Sequence, residues 1–126
     1  MEKDIRGNYK FYENRQVCTE DLWVTATIEL GVDDFTVKLV TECTQPTEQE
    51  NFFTRSELSG KYSLKHDEKG SKITCNITSY KDDGNEKPVR TGTFTMSFSE
   101  GMNSLTFDEV PSELPGCHIG TLFKEP

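Results

Sequence analysis

The most reactive side chains in this sequence belong to four cysteines and two histidines, and their spacing supports no familiar catalytic or zinc site. No two cysteines form the Cys-x-x-Cys pair that is typical of zinc and thioredoxin-type sites. Cys117 and His118 are adjacent, but neighbours on a strand point to opposite faces, so we do not expect a nucleophile–base pair. Motifs of the Gly-x-Ser-x-Gly, phosphate-loop and His-Glu-x-x-His types are also absent. We therefore expect no enzyme, no metal centre and no cofactor.

The same cysteines bear on the compartment in which the protein works. Four cysteines in a small β domain fit one or two disulfides, and the pairing stays open among three connectivities. Asn76-Ile77-Thr78 is also an N-glycosylation sequon. These features favour an extracellular protein, and a cytosolic protein with free thiols is the alternative. The cysteines are Cys18, Cys43, Cys75 and Cys117.

Length and charge limit the classes of partner. The chain has 126 residues, the length of one domain, and a formal net charge of −8. Nucleic-acid binding needs a basic face that displaces counterions, so the acidic balance argues against it and against docking to anionic membranes. No run approaches eighteen apolar residues, and we expect no membrane span. An acidic protein is suited to a cationic ligand or partner.

The elements that would position these residues are predicted to be strands. The chain has a single alanine, Ala26, and is rich in Thr, Val, Ile, Phe and Tyr, which favour strands over helices. Apolar residues recur at every second position, as in strands with one buried face. The polar segments 44–51 and 81–88 and the proline-containing segment 111–116 are predicted connections. The predicted strands cover residues 5–11, 22–30, 35–39, a stretch ending at 65, 72–78, 91–98, 105–107 and 117–123.

About eight strands with mostly short connections predict one antiparallel meander. Closing such a sheet removes its exposed edges, so we predict an all-β, up-and-down, eight-stranded barrel over residues 1–126. A two-sheet β-sandwich is the alternative, with 44–51 and 111–116 as crossovers. Three Gly-x-aromatic repeats favour the barrel, since glycine relieves crowding in a bent strand and the aromatic residue fills the space. The repeats are Gly7-Asn8-Tyr9, Gly60-Lys61-Tyr62 and Gly92-Thr93-Phe94.

The first of these repeats, in Ile5-Arg6-Gly7-Asn8-Tyr9, resembles the Gly-x-aromatic motif in the first strand of calycins. That superfamily contains the lipocalins and the fatty-acid-binding proteins, and its size and eight-strand meander are similar to those of this chain. The resemblance implies a minimal lipocalin-like barrel that binds a small hydrophobic or amphipathic molecule in its interior without catalysis. Such sites are mostly apolar with a few polar groups, here expected from two tyrosines and one arginine. The implied lining comprises Tyr9, Phe11, Ile28, Phe35, Leu39, Tyr62, Leu64, Arg90, Phe94, Met96 and Phe107.

The same inward side chains have a second interpretation as the packed core of the barrel, because an eight-stranded barrel can be filled by its own side chains. Function would then lie outside, in a secreted protein-interaction module of the receptor-binding or immune-modulating kind. Trp23 lies on the Thr25 side of its strand, which is predicted to face outward, and exposed aromatic residues can mark contact surfaces. Phe52 and Phe53 are further candidates beside a polar loop, because adjacent residues point to opposite faces.

Overall fold

The computed structural model describes residues 4–17, 20–44, 51–68, 70–114 and 119–126. The regular elements in these ranges are β-strands, as the composition and alternation predict. Across the same ranges, no helix is long and apolar enough to cross a membrane. The strands are β1 (Gly7–Val17), β2 (Glu20–Leu30), β3 (Asp34–Thr44), β4 (Asn51–Asp67), β5 (Gly70–Asp82), β6 (Asn85–Lys87), β7 (Thr93–Phe98), β8 (Ser104–Phe107) and β9 (Leu122–Lys124).

The strands close into an antiparallel barrel with up-and-down connectivity, which confirms the predicted fold and not the sandwich. Around the ring the order is β1-β2-β3-β4-β5-β7-β8-β9, and pairing between β9 and β1 completes it. The short strand β6 pairs with the end of β5 outside the ring. Each strand of the ring pairs with a neighbour on both sides, so the paired segments leave no exposed sheet edge. Exposed edges are sites of edge-to-edge aggregation.

The ring is uneven, because its first strands are long and its last strands are short. Strands β1 to β3 have 11 residues each, whereas β9 has 3. On one side of β9, Tyr9 pairs with Lys124 and Lys10 with Phe123. On its other side, β9 pairs with two residues of β8. This short seam, formed by Leu122–Lys124, holds the barrel closed.

The core is formed by the inward residues of the alternating pattern. On β2, for example, Val24 and Ala26 are fully buried, whereas Thr25 between them is partly exposed. Aromatic contacts also span the interior between strands that are not neighbours. Phe35 on β3 meets Phe94 on β7 with ring centroids 5.5 Å apart. Tyr9 on β1 meets Phe98 on β7 at 6.1 Å, so side chains from separate parts of the ring touch inside it.

A β-bulge lies between β4 and β5. The register shifts after Ser59, so that Gly60 pairs with Ile77 and Thr78 is the extra residue. A Cβ atom on Gly60 would lie 1.8 Å from the carbonyl oxygen of Asn76, closer than any side chain can approach. Glycine is therefore required here, as the second Gly-x-aromatic repeat predicts for a crowded strand.

The charged segment 81–88 is not the loop that the sequence predicts but contains a tight hairpin. Strand β5 continues to Asp82, and Asn85 pairs with it at the start of β6. The turn residues Asp83 and Gly84 have φ values of 49° and 84°, as the two-residue hairpin turn with two left-handed positions requires. All of β6 is exposed, so it carries no apolar alternation from which a strand could be recognised.

Other element ends also differ from the prediction. The first strand does not stop at residue 11 but runs to Val17 and pairs with β2 along its whole length. Its distal half is polar, which hides the alternation. The last strand begins at Leu122, and Ile119 to Thr121 precede it outside the sheet. Residues 117–118 and 45–50, from the predicted last strand and the predicted loop, lie outside the described residues.

Candidate functional site

Five of the eleven residues that the calycin resemblance implies as a ligand lining lie in the deepest part of the core. Tyr9, Ile28 and Met96 are 0% exposed, Leu39 is 1% exposed and Phe35 is 2% exposed. A cavity wide enough for one water molecule beside any of them would leave that side chain exposed. A ligand beside these residues therefore requires the packed side chains to move apart.

The polar atoms of the same set are already engaged. The Tyr9 hydroxyl donates a hydrogen bond to the carbonyl oxygen of Ile5 at 2.8 Å. The Tyr62 hydroxyl donates to the carbonyl oxygen of Gly31 at 2.6 Å. Burial raises the pKa of Tyr9 to about 12, with smaller electrostatic contributions from Tyr62 and Asp4. Each hydroxyl group is therefore a neutral donor that links its own strand to a carbonyl group outside that strand.

The rest of the inward set divides into two groups. Phe94 and Phe107 are buried, at 5% and 7% exposure, and pack on each other with centroids 5.7 Å apart. Phe11, Tyr62 and Leu64 are partly exposed and pack against the margin of the core. These three residues are therefore the members of the set that solvent reaches most.

Arg90 does not join the inward set, which corrects the prediction made from its parity with Phe94. Alternation holds only within a continuous strand, and the chain leaves the sheet between β6 and β7. Gly92 has a φ of 79°, which breaks the alternation just before β7 begins. The Arg90 side chain is consequently exposed.

The charged residue that is buried in this region is Glu113, at 4% exposure. Both of its carboxylate oxygens accept hydrogen bonds from the Thr91 backbone N–H at 3.2 Å. The hydroxyl groups of Thr91 and Ser112 also donate to it. Burial alone would raise the pKa of Glu113, but these hydrogen bonds outweigh it and hold the pKa below its usual value. This carboxylate ties the 111–114 connection to the start of β7.

The outer surface carries the strongest candidate for a contact site. Trp23 faces outward on β2 and is partly exposed, in the orientation that its alternation with Val24 predicts. It lines a shallow surface concavity of about 340 Å³ on β1, β2 and β3. The other lining residues are Tyr12, Thr25, Val40 and Glu42.

Two further aromatic side chains extend this surface. Tyr12 is 59% exposed and Phe123 is 64% exposed. Phe123 pairs with Lys10, and Tyr12 follows two residues later on β1, which makes Tyr12 a diagonal neighbour of Phe123. Tyr12 pairs with Thr25 and is a diagonal neighbour of Trp23 by the same geometry. Phe123, Tyr12 and Trp23 therefore form one line across β9, β1 and β2, called here the aromatic row.

Charged residues border the aromatic row on two sides. Lys10 and Lys38 both pair with Thr27, on the side toward the β2–β3 turn. Glu42 pairs with Trp23 on the other side. The apolar centre is thus enclosed by charges of both signs.

The remaining contact candidates from the sequence are Phe52 and Phe53. The backbone of Phe53 pairs with Glu42, which places it next to the concavity in the sheet, and Phe52 pairs with Cys43. The side chains of both phenylalanines lie outside the described part of the structure.

Sequence analysis identified Trp23 but missed Tyr12 and Phe123. The predicted first strand ended at residue 11, so Tyr12 was not placed on any face. Continuing the alternation of Tyr9 and Phe11 by one residue would have placed Tyr12 outside. Phe123 follows the buried Leu122 at the end of a three-residue strand, too short for a clear pattern.

Comparisons with protein-family models, with curated proteins and with solved structures gave no match to this chain. The closed antiparallel ring of eight strands is consistent with a calycin-like fold. The likeness to calycins therefore stands on barrel architecture alone.

Proposed function

We propose that this chain is a non-enzymatic protein-interaction module whose calycin-like barrel presents the aromatic row to a partner protein. The observation that carries this proposal is the alignment of Phe123, Tyr12 and Trp23 on the outside of adjacent strands. Aromatic side chains are enriched at the centres of interfaces because they bury a large apolar area with few rotatable bonds.

The interior supports the same function. The contacts of Phe35 with Phe94 and of Tyr9 with Phe98 span the barrel, so packed side chains support the strands that carry the row. Paired strands on such a core fix the backbone positions from which the outward side chains project. A preorganised surface loses less conformational entropy when it binds.

The chemistry of the partner follows from charge. The chain carries a net charge of −8. Charges of both signs border the row, so the attraction for a partner comes from the overall charge of the molecule. We infer a basic protein that inserts an apolar side chain into the concavity between Tyr12 and Trp23. Opposite net charges would speed association and make it sensitive to salt.

The test compares the wild type with three variants. Each protein is immobilised in the same amount as a bait for partner proteins. Trp23→Ala and Tyr12→Ala each remove one aromatic side chain of the row. Val32→Ala is the control, since Val32 is 79% exposed in the turn between β2 and β3, away from the row. All three substitutions lie on the surface, so thermal unfolding of each variant is expected to match that of the wild type.

Proteins retained by the wild type are identified by quantitative mass spectrometry, and the affinity of the purified partner is then measured. Trp23→Ala should weaken binding at least about thirtyfold, the effect of losing a residue worth ~2 kcal/mol at an interface. Val32→Ala should bind like the wild type. Equal retention by the wild type and both aromatic variants would contradict the proposal.

Binding of a small hydrophobic or amphipathic molecule in the barrel is the second candidate function. The observation in its favour is the partly exposed margin of the core at Phe11, Tyr62 and Leu64. Native and denaturing mass spectra of the purified protein test it. Extra mass in the native spectrum alone, unchanged in Trp23→Ala, would favour an interior ligand. No extra mass, and no uptake of a fluorescent fatty acid, would contradict it.

A further inference from the structure

The N-glycosylation sequon at residues 76–78 lies in the middle of β5, and its acceptor side chain is exposed. Asn76 lies between Cys75 and Ile77, which both point into the core. The alternation of the strand therefore turns the Asn76 amide and the Thr78 hydroxyl outward. The printed sequence contains this sequon once, so Asn76 is the single position at which the motif predicts an N-glycan.

The surface around Asn76 is hydrophilic. In the sheet, Asn76 pairs with Lys61 on β4 and with Thr93 on β7, and both of these side chains are exposed. A bulky polar group here would bury no apolar contact and break no described hydrogen bond of the Asn76 side chain. An outward amide between two polar neighbours is a position at which the folded barrel tolerates a glycan.

We propose that Asn76 is an N-glycan acceptor and that its glycan lies on the face of the barrel away from the aromatic row. Strand β5 is separated from β2 by β3 and β4 and from β1 by β7, β8 and β9. The glycan would therefore shield the hydrophilic side and leave Trp23 accessible. The position of the glycan relative to a binding surface rests on the proposed function, whereas the acceptor role of Asn76 does not.

The modification requires an oligosaccharide donor carried on a lipid pyrophosphate, which a eukaryotic secretory pathway supplies. The amide nitrogen of Asn76 forms a bond to the anomeric carbon of the first sugar and releases one proton. The bond between that carbon and the pyrophosphate oxygen breaks, and the lipid pyrophosphate leaves. Because β5 is paired on both sides, the transfer takes place on the extended chain before the sheet forms.

The test expresses the whole chain behind a secretion signal in eukaryotic cells, as wild type, Asn76→Gln, Thr78→Ala and Thr78→Ser. Intact mass is measured before and after treatment with peptide N-glycosidase. The wild type and Thr78→Ser, which keeps the sequon, should carry extra mass that the enzyme removes while converting Asn76 to Asp. Asn76→Gln and Thr78→Ala should have the polypeptide mass alone.

Protein retained inside the cells is analysed in the same way, so the outcome does not depend on efficient secretion. An unmodified wild-type chain in both pools would overturn the acceptor role. Extra mass that persists in Asn76→Gln would overturn it as well, since another residue would then carry the glycan.

The position of the glycan is tested through Trp23, the single tryptophan of the sequence. Acrylamide quenching of its fluorescence should be the same before and after enzymatic removal of the glycan. A clear increase in quenching after removal would show that the glycan covers the row and would overturn the placement. Neither this measurement nor the mass requires the partner, so a failure of the proposed interaction would leave both results interpretable.

Discussion

Single residues in this barrel take their roles from which side of the sheet they face. Trp23 and Val24 are neighbours in sequence, yet Val24 is fully buried and Trp23 borders a surface concavity. Cys75 is buried by the same logic, and burial raises the pKa of its thiol to about 12. A thiol held in this protonated form is a poor nucleophile, so Cys75 serves packing.

At the residue scale, Glu113 should make stability depend on pH. Its pKa in the folded state lies below the usual 4.5, so its contribution is fully present above that value and is lost as pH falls through the lower folded pKa. Glu113→Gln should therefore reduce the free energy of unfolding by about 1.5–3 kcal/mol at pH 7, the range for hydrogen bonds to a charged group. The difference from wild type should shrink as pH falls below 4.5. Urea unfolding at pH 7 and pH 3 measures both values.

The control for this experiment is Glu109→Gln, which removes an exposed carboxylate between β8 and the 111–114 connection. It should change unfolding by less than about 0.5 kcal/mol at either pH. If Glu113→Gln lowers the free energy of unfolding equally at pH 7 and pH 3, the interaction that is lost is not that of a carboxylate.

At the scale of elements, the β4–β5 bulge depends on one glycine. Gly60→Ala would place a Cβ atom 1.8 Å from the Asn76 carbonyl oxygen, and backbone cannot move aside without breaking strand pairs. We expect a loss of about 3 kcal/mol or more in the free energy of unfolding, as for other strained core substitutions. Gly101→Ala is the control, because the nearest atom to its Cβ would be a side-chain nitrogen of Asn103 at 3.3 Å.

Chemical denaturation compares the two glycine variants with the wild type. Equal small effects of Gly60→Ala and Gly101→Ala would mean that the bulge relaxes, and that glycine is not needed for close approach of the strands. A change in amide exchange confined to β4 and β5 in Gly60→Ala would locate the disturbance.

Strands with alternating apolar residues were predictable from the sequence, and strands without them were not. Residues 22–30 form β2 largely as predicted, because every second residue in that stretch is driven into the core. The exposed strand β6 and the polar second half of β1 gain order from backbone pairing with a neighbour, which leaves no local sequence signal. The same limit applied to the candidate site, since Tyr12 lies in the half of β1 that no apolar pattern marks.

At the scale of the whole molecule, stability should depend on the short seam at β9. Leu122 is fully buried and lies in the strand that joins β1 to β8. Leu122→Ala should cost about 2–5 kcal/mol, the range for deleting a buried leucine side chain. Leu64→Ala is the matched control, because Leu64 is only partly buried and should cost less.

Thermal and urea unfolding of both leucine variants, with amide exchange of β1 and β8, test this prediction. The seam variant should accelerate exchange in β1 and β8 before other strands, since loss of β9 leaves both with an unpaired edge. Uniform exchange throughout the barrel would indicate that the seam has no separate stability.

The seam also affects how the chain reaches its native state. Pairing of Tyr9 with Lys124 joins positions near opposite ends of the printed sequence, whereas the β2–β3 hairpin closes through a short turn. Hairpins form within microseconds, but distant strands meet only after a large loss of chain entropy. During folding we therefore expect a curved sheet that is not yet closed, in which β1 and β8 lack their pairing with β9. In a concentrated refolding solution, β9 of a second chain can fill that gap, and strand-exchanged dimers are the expected misfolded product.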